Sequence, residues 1–240
     1  MKKTLVLLAV TKMRGAFCIA GVDTHRARSA EGSAQKFAPL WIRPVKAMGG
    51  LQSGDLQYPD RTPLAAFDRV ELNLTQPRPH PPHTEDWICD FVRERPRRLS
   101  PLSEESRSAF LAASAEEDGS PVLARFERSL ILLPAADFKA TFTLDLATRK
   151  LDARLTCPPL GLLSPMPVTD LRWRAFGRAL CAANPAPSPI HLSHMERDFG
   201  VQRVYLALGL TREFEGRLWP IVIGVHCVPD ISAIIDWKTP

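Results

Sequence analysis

Trp41-Ile42-Arg43-Pro44-Val45 and, downstream, His80-Pro81-Pro82-His83-Thr84-Glu85-Asp86-Trp87 are the stretches whose reading decides the fold. The first is a short strand pattern, with an arginine between two apolar neighbours and a proline that ends it. Residues two apart on a strand share a face, so Trp41 and Arg43 point the same way. The second is an extended loop stiffened by proline and dense in imidazole, carboxylate and indole. Neither matches a catalytic signature. Together they suggest a β-rich binding protein.

Working outward, short apolar or alternating runs recur. Leu5–Val10 and Ala16–Val22 are continuous apolar runs separated by the basic turn Lys12-Met13-Arg14-Gly15, which predicts a hairpin. Phe37–Val45 reads as a third strand, between a polar loop over 23–36 and a Gly-rich, polar, loop-like stretch over 48–63. In Phe67–Leu74, Val70, Leu72 and Leu74 share one face, as in a half-exposed strand. Residues 76–83 are an extended loop and 85–92 a short helical turn. Arg93–Pro101 holds four arginines and two prolines and reads as a linker. Ser103 caps a helix over Glu104–Ala115, with acids in its first turn. Phe138–Leu146 and Leu151–Thr156 alternate across a polar turn, the pattern of a hairpin with one buried face. Thr169 is expected to cap a helix from Asp170 to about Ala182, followed by a Pro-rich exit loop from Asn184 to Pro189. Val204–Leu210 and Leu218–Val225 form a last hairpin, with Pro220 at an edge or bulge.

Composition agrees. The 22 prolines among 240 residues cut the chain into short elements and disfavour long helices, while 45% hydrophobic and 24% charged residues exclude wholesale disorder. The expected class is mainly β with a few short helices, arranged as two tandem small β-barrels over residues 1–100 and 101–240. One large β-sandwich is the alternative. Five cysteines without a Cys-x-x-Cys pair read as reduced core thiols of a cytoplasmic protein. The run over residues 4–10 reads as a first strand, because charge interrupts it at Lys12 and Phe17 is wrong for a signal cleavage site. No apolar run approaches a membrane span, so no membrane association is expected.

Chemistry is thinly signalled. His80-x-x-His83 and His191-x-x-His194 lack the nearby cysteines and tight pairing of a structural zinc site, His25 and His226 stand alone, and no metal or other cofactor is expected. Glu85, Asp86 and Asp90 read as a helix start. Nucleophile elbow, phosphate-loop and dinucleotide motifs are missing, so no enzymatic activity is expected. A net charge of +5 favours a polyanionic partner without requiring one. Basic and aromatic residues interleave at Trp41 and Arg43, in the linker at Arg97 and Arg98, at Arg172 and Arg174 around Trp173, and at Arg203 with Tyr205. A basic groove with aromatic platforms is how small barrels hold single strands. The competing reading makes the tryptophans core and the arginines their cover.

In this order, Cys18-Ile19-Ala20-Gly21, Trp41–Val45, His80–Trp87 and Met166-Pro167-Val168-Thr169-Asp170 resemble the dual-OB-domain proteins of prokaryotes. The resemblance spans nearly the whole chain. It implies two OB-type barrels and recognition of single-stranded DNA or RNA in the service of a partner enzyme or ribonucleoprotein complex, in mobile-element and defence contexts. It carries over no catalytic residue. A protein-interaction adaptor without nucleic-acid contact is the alternative, and a histidine-dependent metallohydrolase a third reading.

Overall fold

The computed structural model describes residues 1–13, 15–24, 40–184, 188–231 and 235. Arg14, His25, most of the polar loop expected over 23–36, the start of the strand expected from Phe37 and part of the exit loop after Asn184 lie outside the described residues. The chain divides into two compact units, Met1–Ile131 and Leu132–Pro240.

The first unit holds strands β1 (Lys2–Met13), β2 (Ala16–Asp23), β3 (Trp41–Val45), β4 (Arg69–Pro77), β5 (Asp86–Cys89) and β6 (Arg97–Arg98). Their order is β1-β2-β3-β5-β4-β6, and β1 also pairs with β4, which closes β1 to β5 into a barrel. One long strand makes the closure. Lys2–Val6 pair with β4 and Leu5–Met13 with β2, around an irregularity between Leu7 and Ala9. The β1–β2 hairpin is as expected. β5 overturns the helical turn expected over 85–92: Asp86–Cys89 lie between β3, in parallel, and β4, in antiparallel. A segment with strand neighbours on both edges satisfies its backbone there, whatever its local acids favour. Arg97 and Arg98, inside the expected linker, pair with Glu71 and Val70 of β4. The loop-like stretch between β3 and β4 has a 3-10 turn at Ser53–Leu56 and the isolated bridges Phe17–Leu51 and Gln57–Pro63, and Leu56, Tyr58, Leu64 and Phe67 are all buried. Two short helices follow, α1 (Glu104–Ser114), capped by Ser103 as expected, and α2 (Ser120–Leu123).

The second unit takes up the chain in β7 (Leu130–Ala135), which begins just before the division. Then come β8 (Lys139–Leu144), β9 (Leu151–Cys157), β10 (Leu162–Pro167), α3 (Leu171–Ala183), β11 (Ile190–Leu192), α4 (Met195–Phe199), β12 (Arg203–Leu210) and β13 (Pro220–Val228). The sheets run β10-β9-β8-β11 and β13-β12-β7. A parallel bridge, Val168 with Val222, joins the end of β10 to β13. If β7 and β8 are counted as one strand interrupted at Ala136–Phe138, the cyclic order is that of the first unit: broken first strand, β9, β10, β13, β12, and back to β7. The parallel neighbours, β3 with β5 and β10 with β13, correspond as well. Both expected hairpins, β8–β9 and β12–β13, are present, and Pro220 stands at the end of its strand.

α3 is capped by Asp170, not Thr169. The Asp170 carboxylate accepts from the Arg172 N–H at 2.8 Å and the Val225 N–H at 2.9 Å, whereas the Thr169 hydroxyl donates to the Val222 carbonyl at 3.2 Å. Extended at the parallel bridge, Thr169 is one residue too early to cap. Burial pushes the Asp170 carboxyl above its ordinary range, against those two amide donors. Trp173 and Phe176 of α3 meet Phe142 at ring distances of 5.6 and 6.2 Å. Gly177 lies against the same ring, and an added Cβ would fall 2.2 Å from Phe142 Cδ1.

Two outcomes are expected. Gly177→Ala overpacks this contact and lowers stability by about 1–3 kcal/mol, read as an earlier chemical or thermal unfolding midpoint. No disulfide joins the five cysteines, and Cys89, Cys157, Cys181 and Cys227 are buried. Burial pushes the Cys89 and Cys227 thiols up to about 12. A thiol reagent at pH 8 should therefore modify half-buried Cys18 first and the other four only on unfolding.

Candidate nucleic-acid interface

Trp41 and Arg43 share a face, as parity requires, and it is the outer face of the first barrel. The register lines Trp41 up with Val22 and Val6, and Ile42 with Gly21 and Leu7 on the inside. That outer face is closed. Trp41 is 4% exposed and Arg43 8%, so neither is the open platform expected of them. The parallel β3–β5 register sets Arg43 opposite Asp86, and Arg43 Nε donates to Asp86 Oδ1 at 2.6 Å. Burial works against the guanidinium charge, but the bond to Asp86 and the surrounding negative charge outweigh it, and the Arg43 pKa is raised. Glu85 is 3.9 Å from the same guanidinium and 4.0 Å from His83 Nδ1. Its carboxylate accepts from the Ser129 hydroxyl. The proline-rich loop therefore ends in a buried polar cluster of His83, Glu85, Asp86, Arg43 and Ser129.

The other expected residues do not gather on one surface. Arg97 is exposed and makes a two-pronged bond to Glu71, both contacts at 3.0 Å. Arg98, also exposed, stands 4.1 Å over the Tyr58 ring, whose hydroxyl donates to Asp68 at 2.8 Å. Arg172 binds Asp230 at 2.7 Å. Arg174 donates to the Leu151 carbonyl at 2.8 Å, and burial lowers its pKa. Tyr205 is 5% exposed and lies in the core. Of the eight, Arg203 lines an open groove of the second unit, while Arg172 borders a small recess beside its partner Asp230.

That groove belongs to the second unit and sequence reasoning passed over most of it. In the β8–β9 register, Lys139 lies opposite Thr156 and Thr141 opposite Arg154, on the outer face, while Ala140, Phe142, Ala153 and Leu155 fill the inside. β11 pairs with the other edge of β8 and sets His191 beside Thr141, their Nδ1 and Oγ1 atoms 3.2 Å apart. Lys139, Thr141, Arg154, Thr156 and His191 line a cavity of about 440 Å³. A second cavity of about 590 Å³, sharing Ser193 with the first, continues past the β7–β8 interruption to His194 and Arg203. The signal was in the alternation that predicts the hairpin: the polar members of Lys139-Ala-Thr141 and Arg154-Leu-Thr156 are that outer face.

The β12–β13 turn is the second missed feature. Trp219 is 45% exposed and Phe214 41%, close in sequence to exposed Arg212 and Arg217. The backbone bonds between Phe214 and Arg217 shape the tip, and the Trp219 N–H donates to Thr211 Oγ1 at 3.0 Å. Among the described residues no group of three or more His, Cys, Asp or Glu side chains is placed to hold a metal ion. No described helix is long and apolar enough to cross a membrane.

The family model of the dual OB-containing domain matches residues 3–225. The chain belongs to this family. Among curated proteins and among solved structures, nothing matches it. The match runs from β1 into β13, so the dual OB-containing domain takes in both rings of strands. In the terms of that domain, β1–β5 make the first OB barrel, and β7 with β8, β9, β10, β12 and β13 the second.

Arg43→Ala leaves Asp86 and Glu85 buried without their cation. The expected cost is about 3–5 kcal/mol. Arg97→Ala removes an exposed pair and is expected to cost no more than about 1 kcal/mol. Urea unfolding of the two variants checks the contrast.

Proposed function

We propose that this dual OB-containing protein binds single-stranded DNA or RNA along the outer face of β8 and β9. The observation that carries the reading is the row Lys139, Thr141, Arg154, Thr156 and His191, with hydroxyls and cations turned outward along one continuous groove. OB barrels take oligonucleotides across the face of strands 2 and 3 and between the loops that join strands 1–2 and 4–5. In the second barrel these are β9 with β10, the turn at 145–150 and the turn at 211–219; the groove shares β9 with that face and touches β10 at Pro165, but extends to the other side over β8 and β11. The cations meet backbone phosphates, and the hydroxyls and imidazole donate to phosphate or sugar oxygens. Among the described residues His191 is the one aromatic ring lining the first cavity. The groove therefore favours backbone contact over base stacking. Trp219 and Phe214 add the stacking surface, worth about 1–3 kcal/mol per base. On this reading the chain binds and a partner acts.

The test is fluorescence anisotropy with a labelled oligothymidine or oligouridine across a salt series. Binding that weakens with salt is expected, with a log–log slope of about −0.7 for each phosphate contacted. Lys139→Ala with Arg154→Ala should lower affinity and reduce the slope by about 1.4, two phosphate contacts' worth. Trp219→Ala should weaken binding about five-fold or more while leaving the slope unchanged. Failure of any oligonucleotide to bind at low salt refutes the reading.

A further inference from the structure

The two barrels share a strand order but not an outer surface. We infer that they divide the work: the second barrel holds the nucleic acid, and the first, its corresponding face closed by the protein's own chain, is a scaffold. The inference rests on the nucleic-acid reading above and assigns it to one barrel.

Matching positions make the contrast. On the first strand, the outward residues of β1 are Val6, Ala9 and Thr11, against Lys139, Thr141 and Thr143 of β8. On the second, they are Val22, Ala20 and Cys18 of β2, against Thr156, Arg154 and Asp152 of β9. Cys18 is half-buried and the other five positions of the first barrel are buried; all six of the second are exposed or half-exposed. An apolar outer face closed to solvent offers a phosphate chain no donor, whereas an open polar one does.

The loops differ in the same sense. The strand 4–5 loop of the first barrel turns its chemistry inward. Glu85 accepts from Ser129, which is fully buried, and Asp86 occupies Arg43. The one arginine on β3 that could meet a phosphate is thus held by one carboxylate and faced by another, a setting that repels an anion. Nearby cations are committed too: Lys46 to Asp55 at 3.1 Å, and Arg78 to the carbonyls of Lys46 and Ala47. Arg154 of the second barrel is also paired, to Asp152 at 3.0 Å, but that pair is open to solvent and can be exchanged for a phosphate at little cost. The equivalent turn of the second barrel exposes Phe214, Arg217 and Trp219.

The experiment is photo-crosslinking of the full chain to an oligonucleotide carrying 4-thiothymidine, with the adducts mapped by peptide mass. Adducts are expected within 139–165, 191–203 and 211–219. Lys139→Glu with Arg154→Glu should lower affinity at least about tenfold. Lys12→Glu with Met48→Glu, two exposed or half-exposed changes on the first barrel, should leave affinity within about twofold. Adducts concentrated at 12–18, 41–50 or 78–88, or a larger loss from the Lys12 and Met48 pair than from the Lys139 and Arg154 pair, would overturn the division of labour while leaving nucleic-acid binding intact. If the wild-type chain binds no oligonucleotide, the functional reading itself fails and the inference falls with it.

Discussion

Each barrel depends on a first strand that must hydrogen-bond along both edges, to its sequence neighbour on one side and to the fourth strand on the other. A flat strand cannot reach both partners, so the chain must bend, and the two barrels meet that demand differently. In the first, β1 stays continuous over twelve residues and turns at the irregularity between Leu7 and Ala9. In the second the strand gives way altogether. Asp137 adopts a positive φ of 51°, β7 serves β12, and β8 serves β9. After the break, the edge of β8 that faces away from β9 is taken by β11. The groove with its His191 wall is thus a product of how the barrel closes.

Hairpins were the legible part of the sequence. Alternation in Phe138–Leu146 and Leu151–Thr156, and the apolar runs around Gly15, contain their own partners within a few residues, so local pattern and final pairing agree. Pairings between distant segments were not legible. Asp86–Cys89 carries the acids of a helix start but becomes a strand because β3 and β4 bracket it. Leu130–Ala135 and Leu162–Pro167 went unread because proline interrupts both, and their neighbours lie far along the chain. The repeat of strand order between the halves is a topological fact with no alignable repeat in the sequence.

The candidate site was legible in kind but not in place. Basic and aromatic residues interleave as the sequence indicated, yet Trp41 and Tyr205 are core and Arg43, Arg172 and Arg174 are occupied by carboxylates or carbonyls. Parity names the residues that share a face. It does not say whether that face is open. Phe214 and Trp219 were hidden for the opposite reason: a turn dominated by charge drew the eye from the two rings it displays.

The bond between Glu85 and Ser129 also bears on how the protein comes into being. Its two ends lie 44 positions apart, and the second is among the last residues made before the strand that opens the other barrel. During synthesis from the N-terminus, the strands of the first barrel emerge well before the hydroxyl that satisfies its buried carboxylate. Before Ser129 is made, Glu85 has Arg43 and His83 of the barrel beside it, and water takes the place of the hydroxyl. The natural place to cut this protein in two is thus later than its strand count suggests, beyond Ser129, so that the buried carboxylate of the first barrel keeps its hydroxyl partner.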